Sequence, residues 1–137
     1  MRASPLFSAI LCLSALATAG HAEAFSGTVT PTCDSAGVVR SVVNRFEAYS
    51  SSYLGRPVAI AQLGHIRENR LEPRAHTFPR ERRYCQAPVV TSDGAKRQLW
   101  YMIESSSGFV SLGSEVEFCV SGLDPLQTHG GLCSTVR

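Results

Sequence analysis

The run Arg83-Tyr84-Cys85-Gln86-Ala87-Pro88-Val89-Val90-Thr91-Ser92-Asp93-Gly94-Ala95-Lys96-Arg97-Gln98-Leu99-Trp100-Tyr101-Met102-Ile103 sets two segments rich in β-branched and aromatic residues on either side of Asp93-Gly94. That pair supplies the positive φ angles of a tight type I′ turn, so the run predicts a β-hairpin. A two-residue turn at Asp93-Gly94 fixes a register in which Val89 faces Gln98, Ala87 faces Trp100 and Cys85 faces Met102. One face of the hairpin then carries Tyr84, Val90, Leu99, Tyr101 and Ile103, and the other Cys85, Ala87, Val89, Trp100 and Met102. Both are apolar. Either two layers cover the hairpin, or one face is kept for a ligand or a partner chain.

Toward the carboxyl end, a Ser/Gly-rich connection from Ser105 to Ser114 leads into Val116-Glu117-Phe118-Cys119-Val120, a cleanly alternating strand. Pairing Ile103 with Val116, Tyr101 with Phe118 and Leu99 with Val120 puts the larger apolar side chains on one face. A helix is expected to dock there. Its pattern lies upstream, where Val38, Val39, Val42, Val43, Phe46, Tyr49 and Tyr53 recur at steps of three and four. Asp34 or Ser35 can cap its start, and Gly55 with Pro57 stops it. Four valines in two turns make a poor intrinsic helix former, so packing against a sheet must hold it. Between helix and hairpin, Val58 to about Arg67 reads as a strand with a bulge at Gly64, and Glu68 to Arg82 as an exposed loop.

Arg2, an apolar run from about Leu6 to Ala19, and Ala22-Glu23-Ala24 before Phe25 have the form of a secretory signal peptide over residues 1–24, which leaves 25–137 as a single α+β domain. No later segment is long and apolar enough to span a bilayer, so the mature protein is expected to be periplasmic or secreted. Removing the leader removes Cys12 and leaves Cys33, Cys85, Cys119 and Cys133, an even set in an oxidising compartment; two disulfides follow. In the register above, Cys85 and Cys119 sit on strands separated by a third, roughly 9–10 Å apart and too far to bond. Of the two remaining connectivities the short Cys119–Cys133 loop is favoured, folding the tail over the sheet and leaving Cys33 for Cys85. Cys33 must then reach round from the helix side. With no Cys-x-x-Cys pair and no ligand spacing among the histidines, no metal and no cofactor is expected.

The expected fold is therefore α+β: one N-terminal helix packed on a curled antiparallel sheet of about four strands, with two disulfides. This order of elements resembles the cystatin-like and nuclear-transport-factor-2-like architectures in topology. In sequence, Arg82-Arg83-Tyr84-Cys85, Ser92-Asp93-Gly94, Trp100-Tyr101-Met102-Ile103-Glu104-Ser105 and Val116-Glu117-Phe118-Cys119-Val120-Ser121-Gly122 resemble small exported proteins of alphaproteobacteria that carry no assigned activity. The resemblance covers about the C-terminal half. It implies export and disulfides and no particular chemistry.

Candidate chemistry is sparse. His65, His76 and His129 are of the residue type most used as a general base, yet no G-x-S-x-G elbow, H-E-x-x-H or phosphate-cradling loop accompanies them. Ser111, in Gly108-Phe109-Val110-Ser111-Leu112-Gly113, is one residue out of step with the elbow. Glu115 and Glu117 share a face, with Glu104 expected opposite Glu115; they form either an acid–base cluster or a charged sheet edge. From His65 to Arg83 there are six arginines, Arg67, Arg70, Arg74, Arg80, Arg82 and Arg83, and no lysine, against Glu68, Glu72 and Glu81. Arginine's planar fork suits phosphate, sulfate or carboxylate, so this segment is a candidate anion-binding edge unless its charges pair among themselves. A formal charge of +2 and a single aromatic, Phe78, among those arginines give no basis for a nucleic-acid partner.

Two functions are expected from these residues. The first is a small exported binding or interaction module, non-enzymatic, using Trp100 and Met102 or the edge formed by Arg67, Arg70, Arg82 and Arg83. Its candidate partners are an envelope protein, an anionic small molecule or a second copy of the chain. The alternative is a small periplasmic hydrolase or lyase with a pocket between helix and sheet, using His65 or a glutamate. A cystatin-like inhibitor lacks its Gln-x-Val-x-Gly motif.

Overall fold

A computed structural model describes residues 30–77, 80–105 and 114–137. The leader expected at 1–24, the 106–113 connection and Ser111 lie outside the described residues. Helix α1 spans Ala36–Tyr53 and buries Val38, Val42, Phe46 and Ser50, one residue per turn. Ser35 holds the N-cap position without a side-chain capping bond, its hydroxyl pairing with that of Thr32 at 3.0 Å, and after Leu54 donates its N–H to Ser50 O the chain turns at Gly55, φ 66°. The Ser50 hydroxyl then tethers the returning chain: it lies 2.7 Å from Val58 O, to which it donates, and accepts the Val58 N–H at 2.9 Å.

Five antiparallel strands follow: β1 Ile60–Leu63, β2 Arg67–Glu72, β3 Arg82–Thr91, β4 Lys96–Ser105 and β5 Ser114–Val120. The sheet runs β1-β3-β4-β5, with β2 also on β3, and does not close. The expected strand over Val58–Arg67 is thus one edge strand broken in two, and its second half takes up residues expected to be loop. Pro88 explains the break. Its ring nitrogen faces the β1/β2 side and has no hydrogen to donate, while its carbonyl accepts the Gly64 N–H at 2.8 Å. At Gly64 a Cβ would stand 2.7 Å from Pro88 Cγ, so only glycine lets the chain pass this close.

The β3–β4 hairpin forms where expected, but its register is shifted by one residue. Val89 pairs with Arg97, Ala87 with Leu99 and Cys85 with Tyr101, because the loop holds three residues, Ser92-Asp93-Gly94. Gly94 N–H donates to Thr91 O at 2.8 Å and Thr91 N–H to Ala95 O at 3.0 Å, with positive φ at Gly94 alone of the three. A type I turn closed by a left-handed glycine replaces the type I′ turn. Asp93 decides it: its carboxylate accepts from the Thr91 hydroxyl at 2.6 Å and the Ala95 N–H at 3.2 Å, and pairs with Arg97 and Arg56. In that order of importance, the Thr91 hydroxyl, the Ala95 N–H and the two arginines hold its carboxyl far below the usual carboxylate range.

Shifting β3 by one residue exchanges its two faces. Cys85, Ala87 and Val89 join Leu99, Tyr101 and Ile103 beneath the helix, and Tyr84 moves to the other side with Trp100 and Met102. Cys33, just before α1, therefore meets Cys85 directly; the two form a disulfide with Cα atoms 5.7 Å apart, and nothing has to reach round the sheet. Tyr101 reinforces this corner by donating its hydroxyl to Cys33 O at 2.7 Å. The β4–β5 register is the expected one, with Ile103 on Val116, Tyr101 on Phe118 and Leu99 on Val120. On the far face the Cys119–Cys133 disulfide draws the tail across the sheet, where Cys133 and Val136 bury Tyr84 and Met102 in a second small core. No helix among the described residues is long and apolar enough to cross a membrane.

Candidate functional site

The arginine segment folds onto its own carboxylates. Arg80 and Arg82 both bind Glu104, the latter at 2.6 Å; Arg83, buried, binds Glu68; Arg70 sits 3.5 Å from Glu72 with its guanidinium 3.8 Å above the Tyr84 ring. Burial alone would raise the Glu104 pKa, but the hydrogen bonds from Arg80 and Arg82 outweigh it and the net shift is downward. Arg67 and Arg74 are exposed and pair with nothing among the described residues. Most of the cations that could receive an anion are already spent.

Trp100 and Met102 do not form an exposed patch either. Met102 is 7% exposed beneath the tail, and Trp100 is half-buried against the same cluster, the Arg137 guanidinium 5.9 Å from its ring centroid. The physical reason is the Cys119–Cys133 loop, which lays Val136 over this face. His65 lies exposed in the break between β1 and β2, and His76 is also exposed. Glu104 does face Glu115 across β4 and β5, but Glu104 belongs to the arginines.

What the structure assembles instead is a cleft of about 270 Å³ between α1 and the 121–130 loop, lying against the outer margin of β5. Alternation in a strand sends successive side chains to opposite faces, yet Glu117, Phe118, Cys119 and Val120 all line this cleft. That happens only if the cleft opens on the strand's edge. Backbone polarity agrees. Ser121 N–H donates to Gln98 O at 2.9 Å, extending the β4 ladder, so residues 117, 119 and 121 turn their polar groups toward β4 and 116, 118 and 120 turn theirs outward. Val116 O accordingly accepts the Arg45 guanidinium, and Val120 O accepts Leu123 N–H at 2.9 Å. The N–H groups of Val116, Phe118 and Val120 and the Phe118 carbonyl remain open among the described residues.

The inner wall is aromatic. Phe118 meets Phe46 and Tyr49 edge-on at 6.4 and 6.5 Å, and Tyr49 stacks on the exposed Tyr53 at 5.1 Å. The Tyr49 hydroxyl is buried and makes no hydrogen bond of normal length among the described residues. Burial, and after it the Asp124 carboxylate, raise its pKa, so it stays a protonated donor. Asp124 shapes the outer wall, accepting the N–H groups of Thr128 at 3.1 Å and His129 at 3.2 Å. His129 Nδ1 stands 3.8 Å from Glu117 Oε2, an ion-pair distance longer than a hydrogen bond. Chemically the site offers apolar walls, a hydroxyl donor, a carboxylate rim of Glu115, Glu117 and Asp124, and a bare strand edge. It holds no nucleophile hydrogen-bonded to a base, since Cys119 is in a disulfide, and no cluster able to hold a metal occurs among the described residues.

Glu115, Glu117 and His129 were visible as candidates in the sequence; Tyr49 and Asp124 were not. Tyr49 continues the apolar stripe of the helix and Asp124 sits in a turn-rich segment, so each has a sufficient local explanation. A faint signal was the Tyr49/Tyr53 pair at the end of α1, beyond its main buried stripe. No protein-family model matches this chain, and neither a curated protein nor a solved structure matches it.

Proposed function

We propose that this chain is a small exported, disulfide-stabilised binding module whose ligand site is the cleft between α1 and β5. The observation that carries the reading is the cleft itself: an aromatic wall, a buried hydroxyl at Tyr49 near the Asp124 carboxylate and an acidic rim converging on about 270 Å³. A ligand with an apolar body and a cationic or donor group complements that lining better than the anion expected of the arginine edge. The basic and apolar leader with Ala22-Glu23-Ala24 supports export to the periplasm or beyond, two disulfides accord with an oxidising compartment, and the resemblance to alphaproteobacterial exported proteins points the same way.

A fragment library followed by ¹H–¹⁵N chemical-shift mapping tests it. Hits are expected to shift the amides of Tyr49, Phe118, Leu123 and Asp124; hits confined to Trp100 or the arginines, or none at the cleft, would refute the assignment. A hydrolase or lyase is the second reading, favoured by His129 standing near Glu117 at the cleft mouth. It requires turnover that disappears in both His129→Asn and Glu117→Gln.

A further inference from the structure

Resting on the reading that the cleft is the ligand site, we propose that its occupant is an extended peptide with alternating apolar and basic side chains, bound as an added strand on the outer edge of β5. The floor of the cleft is backbone. The N–H groups of Phe118 and Val120 and the Phe118 carbonyl face it unpaired among the described residues, and the Val116 N–H continues the same edge just beyond it, at the alternate spacing that a neighbouring strand satisfies and a compact small molecule does not. Arg45 already plays part of that role, giving Val116 O the donor that the next strand would give. Helix α1 and the 121–130 loop stand as walls on either side. From Val116 to Val120 the edge measures roughly 13 Å, room for about five extended residues.

Charge selects the occupant. Glu115, Glu117 and Asp124 face the cleft against Arg45, which is engaged with Val116 O, and His129. An added strand would send alternate side chains against the Phe46/Phe118/Leu123 side and the Glu117/His129 side, so apolar and lysine residues in alternation complement both. A second copy of the chain fits less well, because a two-fold pairing of β5 edges would bring the same acidic rims together.

The test uses the oxidised full chain and a capped Val-Lys-Phe-Lys-Val peptide, with two analogues N-methylated either at the odd or at the even residues and a third in which both lysines are glutamate. Binding is expected to shift the amides of Val116, Phe118 and Val120. One methylation pattern should weaken it by about tenfold or more while the other leaves it nearly unchanged, and the glutamate peptide should bind at least about tenfold more weakly. Equal effects of the two methylation patterns, or equal binding of the glutamate peptide, would overturn strand addition. Fragments that bind the cleft while no peptide does would sink the peptide proposal and leave the ligand-site reading standing. Absence of both kinds of ligand from the cleft would remove both. Self-association that shifts the same three amides would replace the peptide with a second copy.

Discussion

Pro88 and Gly64 interrupt the sheet together, one by lacking a donor and the other by lacking a side chain. A Gly64→Ala substitution drives a methyl group into the Pro88 ring, 2.7 Å from Cγ and 3.1 Å from the Pro88 carbonyl oxygen. A stability loss of about 1–3 kcal/mol is expected, measured by denaturant unfolding. Glu104 makes a pH-dependent contribution. Its folded pKa is depressed, so the stabilisation is fully present above the ordinary glutamate value and is lost as pH falls through the lowered one. Because Arg80 and Arg82 are 43% and 37% exposed, solvent screening limits the effect, and Glu104→Gln should cost about 1 kcal/mol at neutral pH. The difference between wild type and variant should shrink in unfolding curves taken at progressively lower pH. A difference that held constant into acid would show that the arginines do not act through the ionised carboxylate.

At the scale of elements, β5 and the helix that guards it set the behaviour of the exposed edge. Arg45 blunts that edge by occupying Val116 O and lying 5.6 Å from the Phe118 ring centroid. Arg45→Ala frees Val116 O and removes a positive charge beside the acidic rim, so the Val-Lys-Phe-Lys-Val peptide is expected to bind severalfold more tightly, measured by titration of the Phe118 and Val120 amides, with little change in melting temperature. The same elements mark where sequence reading succeeds and where it stops. Val116-Glu117-Phe118-Cys119-Val120 alternates cleanly, and its register on β4 follows from that alternation. The β3–β4 register did not follow, because both hairpin faces are apolar and either alignment buries a sensible set of side chains. Asp-Gly suits both turn types, and the choice rests on bonds from Thr91, Ala95, Arg97 and the distant Arg56 to the Asp93 carboxylate. The cleft was harder still to foresee. Its floor is main chain, and composition carries no record of which peptide groups a fold leaves unpaired.

Over the whole molecule, the sheet separates two unequal cores, each closed by its own crosslink. The loop spanned by Cys33–Cys85 is 52 residues and that of Cys119–Cys133 is 14, so replacing each pair by serine should cost about 4 and about 3 kcal/mol on chain-entropy grounds. The two variants should also differ in kind. Loss of Cys119–Cys133 releases the tail from Met102 and Trp100, and a red-shifted tryptophan emission with increased binding of an apolar dye is expected while the helix persists by circular dichroism. Loss of Cys33–Cys85 should instead lower the melting temperature more, with the tail still in place.

The pairing of cysteines in consecutive order has a further consequence on the export route proposed above. A chain threaded through a translocation channel amino end first presents Cys33 and Cys85 before Cys119 and Cys133 emerge. An oxidase joining thiols as they appear therefore makes the native bonds without reshuffling. Yield of correctly crosslinked protein should depend on that oxidase and be indifferent to loss of a disulfide isomerase.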